Sequence, residues 1–144
     1  MLKDSPDHYD AELVIKLYEL RREPVMRESR ANINGKFWPK SFDDVLAVTK
    51  SDHPLNAAFR QIGSYWEMVY GMARHGVVHP DFMLESNGEG IYLFAKMEPY
   101  LESYRANHNA LAFRNAEWAA NETETGRRLL DHFRKRVQQV LPTK

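Results

Sequence analysis

The sequence predicts an all-α fold, an irregular bundle of about five or six helices around a central helix near 54–75. Three observations carry this. Apolar residues recur at three- and four-residue spacing along most of the chain. Strand signals are thin, and Val77-Val78, between two helical stretches, is too short to carry a sheet. The seven glycines and seven prolines fall mostly at the ends of periodic segments, where they punctuate helices. A length of 144 residues fits one helical domain over 1–144.

The first helix is expected from about Asp7 to Ala31. Tyr9, Leu13, Leu17 and Leu20 predict its buried face. Pro24 removes a backbone donor and clashes with the preceding turn, so a kink or break is expected there. Asn34-Gly35 marks a turn. Ser41, followed by Asp43 and Asp44, reads as a cap with acids in the first turn, opening a short helix to about Lys50. Asp52-His53-Pro54 opens the central helix, which runs to His75 and stops at Gly76. Its apolar positions, from Leu55 through Phe59, Ile62, Trp66 and Val69 to Ala73, are widened by Tyr65, Met68 and Met72 to about half the circumference. An arc that wide belongs at the centre of a bundle. Gly63, Ser64 and Gly71 lie on or near the stripe, where a neighbouring backbone can approach closely.

His79-Pro80-Asp81 starts a short helix through Glu85. Another covers about Glu89 to Asn107, with Pro99 interrupting it. From Ala110 to Leu141 one or two helices are expected, with Thr123, Thr125 and Gly126 as weak points. Leu129, Leu130, Phe133 and Val137 form the last apolar stripe, and Pro142 ends it.

Composition excludes several function classes. Twenty basic and 20 acidic residues give zero formal charge, which argues against a wholesale polyanion binder. Without cysteine there are no disulfides, thiolate zinc sites or cysteine nucleophiles. No stretch approaches the roughly 20 apolar residues of a membrane span. The first residues have no apolar leader-like region, so a cytoplasmic address is expected.

His75 and His79 have metal-ligand spacing, but Gly76 and Pro80 break the helix that would align them. No histidine follows a glutamate by three residues, as a di-iron bundle requires. Gly88-Glu89-Gly90 lacks both the preceding strand and the lysine of a phosphate loop. Neither a metal nor a cofactor is implied. From Arg127 to Lys144 six basic residues accompany one acid. They spread around the polar arc, so the nucleic-acid signal is not strong.

The most informative residues are charges on apolar sides of helices. Arg21, Glu67 and Arg105 each sit at or beside an apolar face, where charge is costly unless paired. One reading makes them structural pairs, with Glu67 bound to Arg21 or Arg105. The other makes them a polar ligand pocket walled by Trp66 and Tyr104. Phe37-Trp38-Pro39 reads either as a plug against the helix at Ser41 or as an anchor for a partner.

Leu17-Tyr18-Glu19-Leu20-Arg21-Arg22-Glu23-Pro24-Val25-Met26-Arg27, Tyr65-Trp66-Glu67-Met68, Gly88-Glu89 and Pro99-Tyr100-Leu101-Glu102-Ser103-Tyr104-Arg105 together resemble a family of small uncharacterised all-helical bacterial proteins, a domain of unknown function. The resemblance spans about Asp10 to Ala120. It implies an all-helical fold and a bacterial cytosolic origin, and it transfers no functional residue. The function expected from these readings is non-enzymatic, exercised through a protein partner or a homodimer and without a membrane. The rival is a small-molecule binder or enzyme with its pocket at Arg21, Glu67 and Arg105. A third reading, nucleic-acid accessory binding, rests on the basic C-terminal helix.

Overall fold

The computed structural model describes residues 2–144 and is all-helical, with no strand among the described residues. Among the described residues nine α-helices follow one another: α1 (His8–Arg22), α2 (Pro24–Lys36), α3 (Phe42–Val48), α4 (Asn56–Arg74), α5 (Pro80–Ser86), α6 (Glu89–Met97), α7 (Leu101–Asn107), α8 (Arg114–Glu122) and α9 (Glu124–Val140). Short 3-10 turns cover Glu98–Tyr100 and Leu141–Thr143. There are more segments than five or six because local chemistry cuts the long stretches. Glu23 ends α1 in an extended conformation. Its carboxylate then accepts the N–H groups of Val25 and Met26 at 3.1 and 2.9 Å, so that Pro24 starts a new helix. Pro99 confines its neighbourhood to a 3-10 turn between α6 and α7. Thr123 separates α8 from α9, and its hydroxyl accepts the Gly126 N–H at 2.9 Å as the α9 cap. Gly76, with φ 77°, supplies the left-handed residue that stops α4.

The central helix lies where the periodicity placed it. α4 packs against α2 on one side and α8 on the other, with α5 and α6 also in contact. A second interior helix accompanies it. Every residue of α6 from Gly90 to Met97 is buried, because α9 closes over its outer side. Two glycines let neighbours approach α4 closely. A Cβ on Gly90 would lie 2.6 Å from Trp66 Cγ, and one on Gly71 would lie 2.8 Å from Asn115 Nδ2 on α8. Gly63, the other glycine on the α4 stripe, meets nothing within 4 Å.

The face of α1 follows its expected one at Leu13 and Leu17 but not at Tyr9 and Leu20. Tyr9 is 76% exposed and Leu20 45%, whereas Asp10, Leu17 and Arg21 are buried. Two charges turn the helix. The Asp10 carboxylate accepts from Lys3 Nζ at 2.9 Å and from the backbone N–H groups of Asp7 and His79 at 2.9 and 3.2 Å. Burial opposes its charge, yet these donors hold its carboxyl below the usual carboxylate range. His79 in turn caps α5, its Nδ1 accepting the Phe82 N–H at 3.1 Å.

Candidate functional site

The charges on the apolar sides are satisfied separately. Arg21, 7% exposed, donates to Asn87 Oδ1, to Tyr65 Oη at 3.3 Å and to the Ser86 carbonyl at 3.3 Å. Its guanidinium lies 5.6 Å from the Trp66 ring centroid and 5.9 Å from that of Tyr18. Beside it Arg30 grips Glu89 bidentately, at 2.9 and 2.7 Å, so the segments Leu17–Arg27, Tyr65–Met68 and Gly88-Glu89 converge at one corner of the bundle.

Glu67 pairs with neither Arg21 nor Arg105. Its carboxylate accepts the backbone N–H groups of Asn115 at 3.1 Å and Ala116 at 2.8 Å, the orphan donors in the first turn of α8. The N-cap position of α8 is Phe113, which has φ 59° and no capping side chain, so a carboxylate from another helix does that work. Burial raises the Glu67 pKa above its usual value. The two N–H bonds, and more weakly Arg105 and Arg74, oppose that rise. Arg105 is held elsewhere, by the Ala112 carbonyl at 2.9 Å and by Glu117 at 3.2 Å. The expected common pocket of Arg21, Glu67 and Arg105 therefore does not form. Trp66 is 3% exposed and stacks on Tyr70 in the core; it walls no cavity.

Tyr104 and Glu67 do share a feature. An open groove of about 320 Å³ lies between α4 and the α7–α8 connection, lined by Phe59, Arg60, Gly63, Glu67, Tyr104 and Phe113 among others. Tyr104 is 5% exposed, and its hydroxyl has no hydrogen-bond partner among the described residues. Burial pushes its pKa up, keeping it a neutral phenol.

Phe37 is buried against Phe59, ring centroids 5.3 Å apart, and Trp38 is half-buried on Tyr92. The pair plugs the bundle; Phe37 offers no surface for a partner. Trp38 has a second task. Lys96, 3% exposed on α6, places Nζ 3.9 Å from the Trp38 centroid and 4.6 Å from that of Tyr92. The same nitrogen donates to the carbonyls of Ile33 and Asn34 at 3.0 and 3.1 Å, in the last turn of α2. Burial, with the nearby charges of Arg136 and Lys144, pushes its pKa down to about 7. Nothing in the α6 periodicity marks Lys96, whose acceptors lie more than 60 residues away.

The surface carries one further feature. α1 exposes Ile15 at 60% and Tyr18 at 55%, with half-buried Ala11 and exposed Arg22 on the same line. These four residues are spaced 4, 3 and 4, the seam pattern of paired helices. On α9, four of the basic side chains have partners within the chain. Arg127 donates to the Asn121 carbonyl, Arg128 pairs with Glu124, Arg134 with Glu98, and Arg136 donates to Tyr92 Oη. No helix among the described residues is long and apolar enough to cross a membrane.

A family model described as Domain of unknown function (DUF4760) matches residues 7–123, and the chain belongs to that family. Neither a curated protein nor a solved structure matches.

Proposed function

We propose that this DUF4760 protein is a non-enzymatic helical protein of the bacterial cytoplasm that works by pairing with a second copy of itself through α1. The observation that supports this reading is the exposed seam of Ala11, Ile15, Tyr18 and Arg22. Such a 4-3-4 spacing is self-complementary across a two-fold axis. In antiparallel pairing Ile15 meets Tyr18 of the other copy, and small Ala11 meets long Arg22, so that bulk faces space. Arg22 also lies 5.7 Å from the Tyr18 centroid, which steadies the ring on the surface.

Covering one large apolar side chain contributes about 1.5–3 kcal/mol, and association costs at least about 4 kcal/mol. Four such side chains, two from each copy and each with a little over half of its surface still to cover, support a weak and reversible dimer. Sedimentation equilibrium tests this. The wild-type chain is expected to self-associate as its concentration rises, and Ile15→Glu to remain monomeric with an unchanged circular-dichroism spectrum. Leu111→Glu, at an apolar position 62% exposed on the α7–α8 connection, is expected to dimerise like wild type. A wild-type chain that stays monomeric to about 1 mM, or equal loss in both variants, overturns the reading.

A further inference from the structure

We propose that the groove between α4 and the α7–α8 connection binds a small zwitterion with an apolar side chain, an amino acid or dipeptide, its amino group at Glu67 and its carboxylate at Arg60. This site is separate from the α1 seam and does not rest on the pairing of copies.

Four features argue for it. The first is volume: about 320 Å³ falls at the lower end of the range of small-molecule sites. The second is an apolar floor, in which Phe113 lies 6.4 Å from Phe59 and 6.2 Å from Tyr104, centroid to centroid. Phe113 is also the one non-glycine residue with positive φ among the described residues, a conformation that side chains adopt at a cost and that concentrates at ligand sites. The third is unspent polar capacity. Each Glu67 oxygen accepts one backbone N–H, which leaves lone pairs for a ligand ammonium. Tyr104, a buried residue of the lining, carries a hydroxyl with no partner among the described residues, and the exposed guanidinium of Arg60 has no ion pair or hydrogen bond among the described residues. The fourth is the vacancy at Gly63, whose missing side chain opens the groove midway between the two charges.

Spacing selects the ligand. Arg60 and Glu67 are seven residues apart on α4, about 10 Å along the axis. With both side chains reaching inward, they suit opposite charges a few ångströms apart on one small molecule. Anion and cation at the two ends, with an apolar group over the rings between, describe an apolar amino acid or a dipeptide. Arg105 and Arg74 temper the charge of Glu67 but make no hydrogen bond to it.

The test is a titration of ¹⁵N-labelled full-length protein with L-phenylalanine, glycyl-phenylalanine, phenylacetate and phenethylamine, followed by amide chemical shifts. At least one zwitterion is expected to give saturable shifts around Gly63, Ala112 and Phe113, with Kd of roughly 10 μM to 1 mM. Phenylacetate and phenethylamine, each lacking one charge, are expected to bind at least about tenfold more weakly. Arg60→Ala should weaken binding by a similar factor. Gly63→Leu should abolish it while the fold holds, since leucine is the better helix former and meets open space. Absence of saturable shifts with either zwitterion at 10 mM overturns the proposal. So does binding undiminished in Gly63→Leu, or single-charge analogues that bind as tightly as the zwitterions.

Discussion

Lys96, which is buried, and Glu67, which is half-buried, are ionisable groups without an opposite charge bonded to them, and each is served by backbone atoms instead. For Lys96 the balance is between desolvation, which favours the neutral amine, and two carbonyls with two ring faces, which favour the ammonium. With the folded pKa near 7 and the unfolded value at 10.5, unfolding takes up a proton between those limits. The contribution of this group therefore makes the fold more stable as pH rises from about 7 to 10.5, and its penalty is fully present below 7. Denaturation of wild type beside Lys96→Met should show wild type gaining on the variant by up to about 4 kcal/mol between pH 7 and 10. Parallel pH dependences would show that the amine keeps its proton. Glu67 gives a second prediction at this scale. As the cap of α8, its replacement by alanine should cost about 1–2 kcal/mol, not the 3–5 kcal/mol of a broken buried ion pair. Glu67→Gln keeps one acceptor oxygen and should recover part of the loss in urea denaturation.

At the scale of elements, the α8–α9 corner is the tightest joint in the chain. Thr123 donates to the Ala119 carbonyl at 2.8 Å while accepting from Gly126, so the last turn of α8 and the first of α9 share one hydroxyl. A Cβ on Gly126 would sit 1.8 Å from the Ala119 carbonyl oxygen, a backbone atom with no way to retreat. Gly126→Ala is therefore expected to cost about 3 kcal/mol or more, read as a clear fall in the thermal midpoint. A variant as stable as wild type would mean that the corner can open. This joint was visible in the sequence only as a weak point, because a glycine and two threonines mark a break without giving its geometry. The central helix was legible outright, since its apolar arc is wide and its neighbours are helices whose exact angles matter little. The α1 face was legible only in its middle. Leu17 is buried and Leu13 packs against the core, whereas Tyr9 and Leu20 give way to Asp10 and Arg21, which find partners in His79, Tyr65 and Asn87, far along the chain. The site residues failed in the same way. Composition and spacing flagged Arg21, Glu67 and Arg105 as anomalous charges, yet the acceptors and donors that satisfy them are backbone groups and side chains of other elements, which one helix pattern cannot place.

At the scale of the whole molecule, the segment shared with the family ends at residue 123, one residue before α9 begins. In this chain the bundle is not closed at that point. Leu130 on α9 is 2% exposed, the Leu129 methyl fills the space beside Gly88, and the Phe133 ring stacks on Tyr92 at 4.9 Å. Val137 and Leu141 cover the aromatic cage of Lys96, and the Thr125 N–H ties α9 to Asp81 on α5 at 2.9 Å. A fully buried side chain of this kind contributes about 1.5–3 kcal/mol by leaving water; with Leu130 buried and Leu129, Phe133 and Val137 partly so, the four together contribute about 4–8 kcal/mol. A domain of this size has only about 5–15 kcal/mol of stability in total. Removal of α9 thus takes away most of the margin and also bares the outer side of α6, whose buried residues are mostly apolar. A chain cut after Thr123 is expected to keep helical circular dichroism, to lose its cooperative thermal transition and to bind a hydrophobic dye. A sharp melt and no dye binding by the cut chain would show that the family segment folds alone and that α9 is an addition to a finished core.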